Sequence, residues 1–427
     1  MKPTKQIKKD MRDGVYRELL KDIYEDDRVL DYQEARYAKA IEKFEELYGE
    51  QEVEIYSAPG RSEIGGNHTD HQHGQVLAAG INLDAIAIAA KTEDKQIKIV
   101  SDHFDIKPVD LSDLEKKEEE TGTSEALVRG VAYKLQKEGF KLGGVYVYMT
   151  SDVLVGAGLS SSAAFEVAVC TVISGLYNEM KISSILSAQV SQYAENVYFG
   201  KPCGLMDQMA SSVGSLVNID FKDTKDPVVN RLDVDFGRFA HSLCIVDTKG
   251  DHTDLTNEYA YVPQEMKKVA AYFDCEYLRE VDEEQFYREL PNVRKTAGDR
   301  GVLRAIHFFG DNRRVGEEVE ALQNGEFEKF KELVTESGDS SYKYLQNVFA
   351  NCDVQNQSVS LGLALSERIL GKKGACRVHG GGFAGTIQAF VPDELVAGYK
   401  EQMEYFFGKD SCHVLKIRKY GGMKVLG

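Results

Sequence analysis

The stretch Gly156-Ala-Gly-Leu-Ser-Ser-Ser-Ala-Ala164 constrains this chain more than any other. A strand-like segment, Gly144–Met149, precedes it, and an apolar helical run, Ala163–Ile173, follows. Glycines at 156 and 158 let a backbone pass close to a ligand and take angles that a side chain forbids. Three serines then fall where a helix starts, at the end whose free N–H groups and dipole attract anions. A strand, a glycine-rich turn and a hydroxyl-rich helix start make a phosphate cradle. Its candidate residues are Gly156, Ala157, Gly158, Leu159, Ser160, Ser161 and Ser162. The lysine of the common P-loop is missing, so this cradle is of another kind. A glycine–serine turn capping an ordinary helix has the same local pattern, so the reading depends on the rest of the chain.

Three more stretches support it. Ala58–Gly74 concentrates an arginine, an asparagine, three histidines and two acids between glycines, too polar and turn-rich for core. Cys203-Gly-Leu-Met-Asp-Gln-Met209 sets an acid in an apolar turn. Arg377-Val-His-Gly-Gly-Gly-Phe-Ala-Gly-Thr-Ile-Gln-Ala-Phe390 is a second glycine-rich loop, followed by an alternating strand. Four such stretches in one chain point to a site assembled from distant segments. The histidines at 68, 71 and 73 are irregularly spaced and lack a matching thiolate or carboxylate set, which argues against a zinc site.

Composition limits the alternatives. The 52 basic and 69 acidic residues leave a net charge of −17, with no basic cluster to track a nucleic-acid backbone. No apolar run is long enough for a signal peptide or a membrane span, and seven scattered cysteines form no C-x-x-C pair. The expectation is a reduced, cytoplasmic protein without nucleic-acid or membrane partners, its oligomeric state unspecified. A length of 427 residues implies two domains. We place an N-terminal helical extension at 1–30, a first domain at 31–225 and a second at 226–427, with the boundary at the polar turn Lys222–Pro227. Helices are expected at 31–48, 124–138, 162–178 and 184–199, then at 252–271, 283–289, 292–309, 315–336 and 354–371.

In this order the four motifs resemble the GHMP (sugar, homoserine, mevalonate and phosphomevalonate) kinase superfamily, and within it the galactokinases. Phe44–Gly49, Val128–Val131, Arg304–His307 and Asp311–Arg313 also fit that family. The resemblance implies an α+β fold: an N-terminal α/β domain and a ferredoxin-like C-terminal domain, with the active site between them. It further implies ATP-dependent phosphorylation of galactose at its anomeric hydroxyl. Galacturonate or a related sugar is the alternative substrate, and a non-catalytic sugar sensor is the reading from another class.

The resemblance also assigns roles. Asp207 becomes the base that takes the sugar proton, with Arg61 as its cationic partner. Asn67, His68, Asp70 and Tyr259 become sugar contacts. Ser162 and Glu195 become ligands of magnesium, a hard cation that prefers oxygen and keeps few protein ligands beside phosphates. Asn67 and His71 depart from the family, which carries glutamate and tyrosine at these positions. The glutamate is expected at the sugar's sixth carbon, so an uncharged Asn67 would tolerate a sugar acid there.

Overall fold

In the computed structural model, apolar alternation produces the strands that carry the motifs. The structure describes residues 1–102, 106–154, 158–250 and 255–427. They form two compact units: Met1–Ser62, Ala79–Ser215 and Lys416–Gly427 make the first, and Glu63–Ala78 with Leu216–Leu415 the second. The units therefore interleave along the chain, where the sequence suggested a single crossing near 225. The turn Lys222–Pro227 lies within a hairpin of the second unit, whose strands Leu216–Asp220 and Val228–Leu232 pair antiparallel.

In the first unit, strand Gly144–Ser151 runs antiparallel to Gln75–Thr92 and parallel to Gln96–Ser101. Met423–Leu426 adds to strand Glu52–Gly65. The expected N-terminal extension is helical, at Thr4–Arg12 and Arg17–Tyr24. It is also core: Ile7, Met11, Leu20, Ile23 and Tyr24 are buried in one cluster with Phe44, Val53 and Ile86. Ser161–Asn178 is a helix that is apolar on nearly every side, and it is accordingly buried for most of its length.

The second unit holds a four-stranded antiparallel sheet in the order Ala375–His379, Thr386–Pro392, His241–Asp247, Cys412–Leu415. Helices Ser358–Leu370 and Val396–Phe407 pack on it through Val359, Leu363, Tyr399 and Met403. In chain order this is strand, helix, strand, strand, helix, strand, the ferredoxin-like arrangement. A helical insertion follows the first strand.

That insertion differs from expectation: the helix expected at 292–309 is kinked at Gly298 (φ 76°), and the one expected at 315–336 is broken at Gly325, with a separate helix at Phe327–Ser340. The polar stretch Gly310–Arg314 interrupts the apolar pattern, yet it is helical within Leu290–Asn324, and Gly325 (φ 76°) ends the run. Asp311 is fully buried because it has partners: Arg314 Nη1 at 2.8 Å and the Asn67 backbone N–H at 2.8 Å. No helix among the described residues is long and apolar enough to cross a membrane.

Candidate active site

In the first unit the glycine-rich turn meets Arg61 and Asp207. Arg61 is held by its strand, whose backbone N–H donates to Leu159 O at 3.0 Å. The strand and the turn approach closely, since a Cβ at Gly60 would lie 2.9 Å from the Leu159 carbonyl oxygen. Asp207 stands in the first turn of helix Met206–Val213. Arg61 grips it with two parallel bonds, Nε to Oδ1 at 2.8 Å and Nη2 to Oδ2 at 2.7 Å, and Arg61 Nη1 donates to Gly158 O.

Ser160 Oγ donates to Asp207 Oδ2 at 2.7 Å. Ser160 takes a left-handed conformation (φ 57°) just before the helix that starts at Ser161, an uncommon state for a side-chain-bearing residue. Such strain clusters at functional sites. Burial opposes ionisation of Asp207, but the Arg61 charge and the Ser160 and Arg61 hydrogen bonds outweigh it and hold the carboxyl below its ordinary range. Among the described residues Oδ1 accepts a single bond, from Arg61, leaving room for a hydroxyl donor.

Ser161 and Ser162 are half-buried, Leu159 is buried and Gly158 (φ 68°) is exposed. Gly156 and Ala157 lie outside the described residues.

Glu195 sits where the helix widens into i→i+5 turns over Ala194–Phe199, a feature frequent at functional sites. It is buried, and its carboxylate accepts from Lys201 Nζ at 3.0 Å, Gln208 Nε2 at 2.6 Å and Cys203 Sγ at 3.2 Å. Glu166, which sequence reasoning missed, joins this cluster: Gln208 Nε2 lies 3.3 Å from its Oε2, and its Oε1 is buried without a partner. Burial, then the charge of Glu195, pushes the Glu166 carboxyl well above its ordinary range. One acid inside an otherwise apolar helix, four residues after Ser162, was the available signal.

The donor chemistry fits magnesium. The oxygens are hard, an acceptor atom is orphaned, and two carboxyl groups face one largely exposed lysine, Lys201. Among the described residues no three His, Cys, Asp or Glu side chains converge as a metal cluster, which a site with one or two protein ligands does not need.

In the second unit, His68, Asn67 and Tyr259 gather on the loop Gly380–Gly382. His68 Nε2 lies 3.2 Å from Gly381 O. A carbonyl only accepts, so Nε2 carries the proton, and burial pushes the ring's pKa down to about 3. Among the described residues the buried Nδ1 is thus an unprotonated acceptor without a partner. His68 therefore presents an acceptor, not a donor, at its open ring nitrogen.

Asp70 is half-buried and accepts the His71 N–H at 2.9 Å. Tyr259 OH donates to Gly382 O at 3.0 Å. Asn67 is fully buried and bonds to Glu63, Asn347 and the loop.

Comparison with known proteins follows this geometry. The galactokinase galactose-binding signature matches residues 42–91, and the GHMP kinases N terminal domain matches residues 126–215. A crystal structure of Lactococcus lactis galactokinase complexed with galactose superposes with a TM-score of 0.76 at 23% identity, covering 91% of this chain and 100% of that one. The Methanococcus jannaschii mevalonate kinase gives a TM-score of 0.61 at 13% identity, covering 86% and 98%. Fold and motifs together define a small-molecule kinase of the GHMP class. A galactokinase of Actinobacillus pleuropneumoniae is 32% identical over 360 residues, 84% of this chain and 90% of that protein. One from Streptomyces coelicolor is 32% identical over 354 residues, 82% and 87% of the two. The chain belongs to the galactokinase family.

Proposed function

We propose that this chain transfers the γ-phosphoryl group of ATP to the anomeric hydroxyl of galactose, giving galactose 1-phosphate and ADP. The carrying observation is the doubly bonded Arg61–Asp207 pair, which Ser160 fastens to the start of the glycine-rich helix. Phosphoryl transfer asks a protein mainly for positioning and charge. The open lone pair of Asp207 Oδ1 accepts the sugar hydroxyl. As the new O–P bond forms and the bond from the γ-phosphorus to the bridging oxygen breaks, the hydroxyl proton passes to Asp207. Arg61 offsets charge on the reacting oxygens. Because Arg61 depresses its pKa, Asp207 is a weak base whose main contribution is orientation, with the proton moving late in the transfer.

Magnesium, when bound, would be held by Ser162 and Glu195 and would offset phosphate charge. Accordingly, Ser162→Ala and Glu195→Gln should raise the magnesium concentration needed for half-maximal turnover. A loss that added magnesium does not partly restore counts against ligation by these two residues.

The sensor reading is disfavoured because a binder needs no arginine-held aspartate beside a phosphate cradle. A coupled ATP-consumption screen over galactose, galacturonate, N-acetylgalactosamine, arabinose, glucose, mevalonate and homoserine tests the assignment. Galactose should be turned over best. Turnover of mevalonate or homoserine without any sugar would overturn the sugar-kinase reading. Galactose binding without ATP consumption would restore the sensor.

A further inference from the structure

Three consecutive carbonyls of the loop Gly380–Gly382 are each held by a side chain of the second unit. Asn67 Nδ2 donates to Gly380 O at 2.8 Å, His68 Nε2 to Gly381 O at 3.2 Å and Tyr259 OH to Gly382 O at 3.0 Å. The loop is tightly confined. Gly380 (φ 64°), Gly382 (φ 82°) and Phe383 (φ 63°) are left-handed, and a Cβ at Gly382 would lie 2.0 Å from Asn347 O. Phe383 bears a side chain in that region, so its neighbours must over-determine the conformation.

Asn67 is the innermost of the three holders. Its second amide hydrogen goes to Glu63 Oε1 at 3.1 Å, and its Oδ1 accepts from Asn347 Nδ2 at 2.8 Å and from Ser341 Oγ at 3.4 Å. An asparagine side chain has two donors and two acceptor lone pairs. All four are engaged inside the protein, and the residue is 0% exposed.

We infer that Asn67 is a positioning residue that fixes the Gly380–Gly382 loop through its amide and does not itself read the sugar. The inference rests on the kinase reading above. The amide is required because one nitrogen must donate both to a carboxylate and to a carbonyl. A carboxylate at this position would face Glu63 Oε1 and Gly380 O without a hydrogen to offer either. Glu63 in turn is anchored by Arg377 Nη2 at 2.8 Å, so it cannot turn away at low cost.

Two near-isosteric variants separate the contacts. Asn67→Asp sets two carboxylates against each other and removes the donor to Gly380. The double variant Glu63→Gln with Asn67→Asp restores a hydrogen bond between 63 and 67 with its direction reversed, yet still leaves Gly380 O without its donor. The double variant should therefore recover most of the thermal stability lost by Asn67→Asp, while its kcat for galactose stays about 10–100-fold below wild type, the scale expected for a misplaced loop. KM for galactose, and the preference for galactose over 6-deoxygalactose, should stay within about twofold of wild type.

Amide exchange supplies a readout independent of activity. The Phe383 and Ala384 N–H groups, bonded to Asn347 O and Gly382 O, should exchange at least about tenfold faster in the double variant, with helix Ser358–Leu370 unchanged. A tenfold or larger change in the 6-deoxygalactose preference would show that Asn67 reads the sugar and overturn the inference. Full recovery of kcat together with stability, or unchanged loop exchange, would overturn it as well. If the double variant does not fold, Asn67→Ser, which removes the bond without adding charge, is held to the same outcomes. If the wild-type protein phosphorylates no galactose, the kinase reading fails by itself, and the exchange experiment still decides the role of Asn67.

Discussion

Asp207→Asn should lower turnover by about 10²–10⁴-fold, the range for losing a positioned proton acceptor, and leave ATP binding nearly unchanged. The amide keeps the shape of the side chain and one acceptor for Arg61. It cannot take the sugar's proton, and it removes the negative charge that Arg61 now balances. Steady-state kinetics with galactose, alongside a nucleotide-binding isotherm, measures both parts; turnover above about a third of wild type would remove Asp207 from the mechanism. The pH dependence has a definite sign. The Asp207 pKa is depressed in the folded state, so its ionised, active form persists above that value and is lost as pH falls through it. An acidic limb set by Asp207 should therefore lie below the ordinary aspartate value of about 3.9. A limb between pH 5 and 7 belongs to another group.

The second large effect is on stability. Asp84 is fully buried and collects partners from remote parts of the first unit: Arg36 Nη1 at 2.7 Å, Arg418 Nη1 at 2.9 Å, Tyr24 OH at 2.9 Å and Ser57 Oγ. Removing one member of a buried ion pair costs about 3–5 kcal/mol because the remaining charge has no solvent to return to. Asp84→Ala leaves Arg418 buried without this carboxylate and Arg36 with only the Asp152 carboxylate, at 3.1 Å. With about 2–4 °C per kcal/mol for a unit of this size, the melting temperature should fall by roughly 6–20 °C. Thermal unfolding followed by circular dichroism measures it. A fall of under about 2 °C would mean that Arg36 and Arg418 find adequate partners without Asp84. Tyr24 ties the N-terminal helices to this network, so the extension expected at 1–30 is part of the first unit's core.

Much of this was legible from the chain itself because it depends on local chemistry. Alternation and helical periodicity placed the strand Gly144–Ser151 and the helix Ser161–Asn178 to within a few residues. Glycines and serines between them marked the proposed phosphate cradle, since such residues favour a close backbone approach and an anion-binding helix start. The four motifs carried the family. Asp207 stood out as an acid in an apolar turn, where an unpaired charge is costly; the resemblance supplied Arg61 as its partner, and the structure pairs the two across 146 residues of sequence.

What the tertiary structure alone decided is which partner each polar group takes. Glu166 read as one residue of an apolar helix until folding set it beside Glu195. Asp311 read as part of a loop until burial supplied Arg314 and the Asn67 backbone as partners. Which nitrogen of His68 stays open depends on a carbonyl 313 residues away. Asn67 looked free to read a substrate, and the fold had already filled all four of its hydrogen-bonding positions. Periodicity and turn chemistry act over a few residues, so the sequence fixes elements and residue types. Hydrogen-bond saturation depends on long-range contacts, and only the folded chain distinguishes a polar group that awaits a ligand from one that is already satisfied.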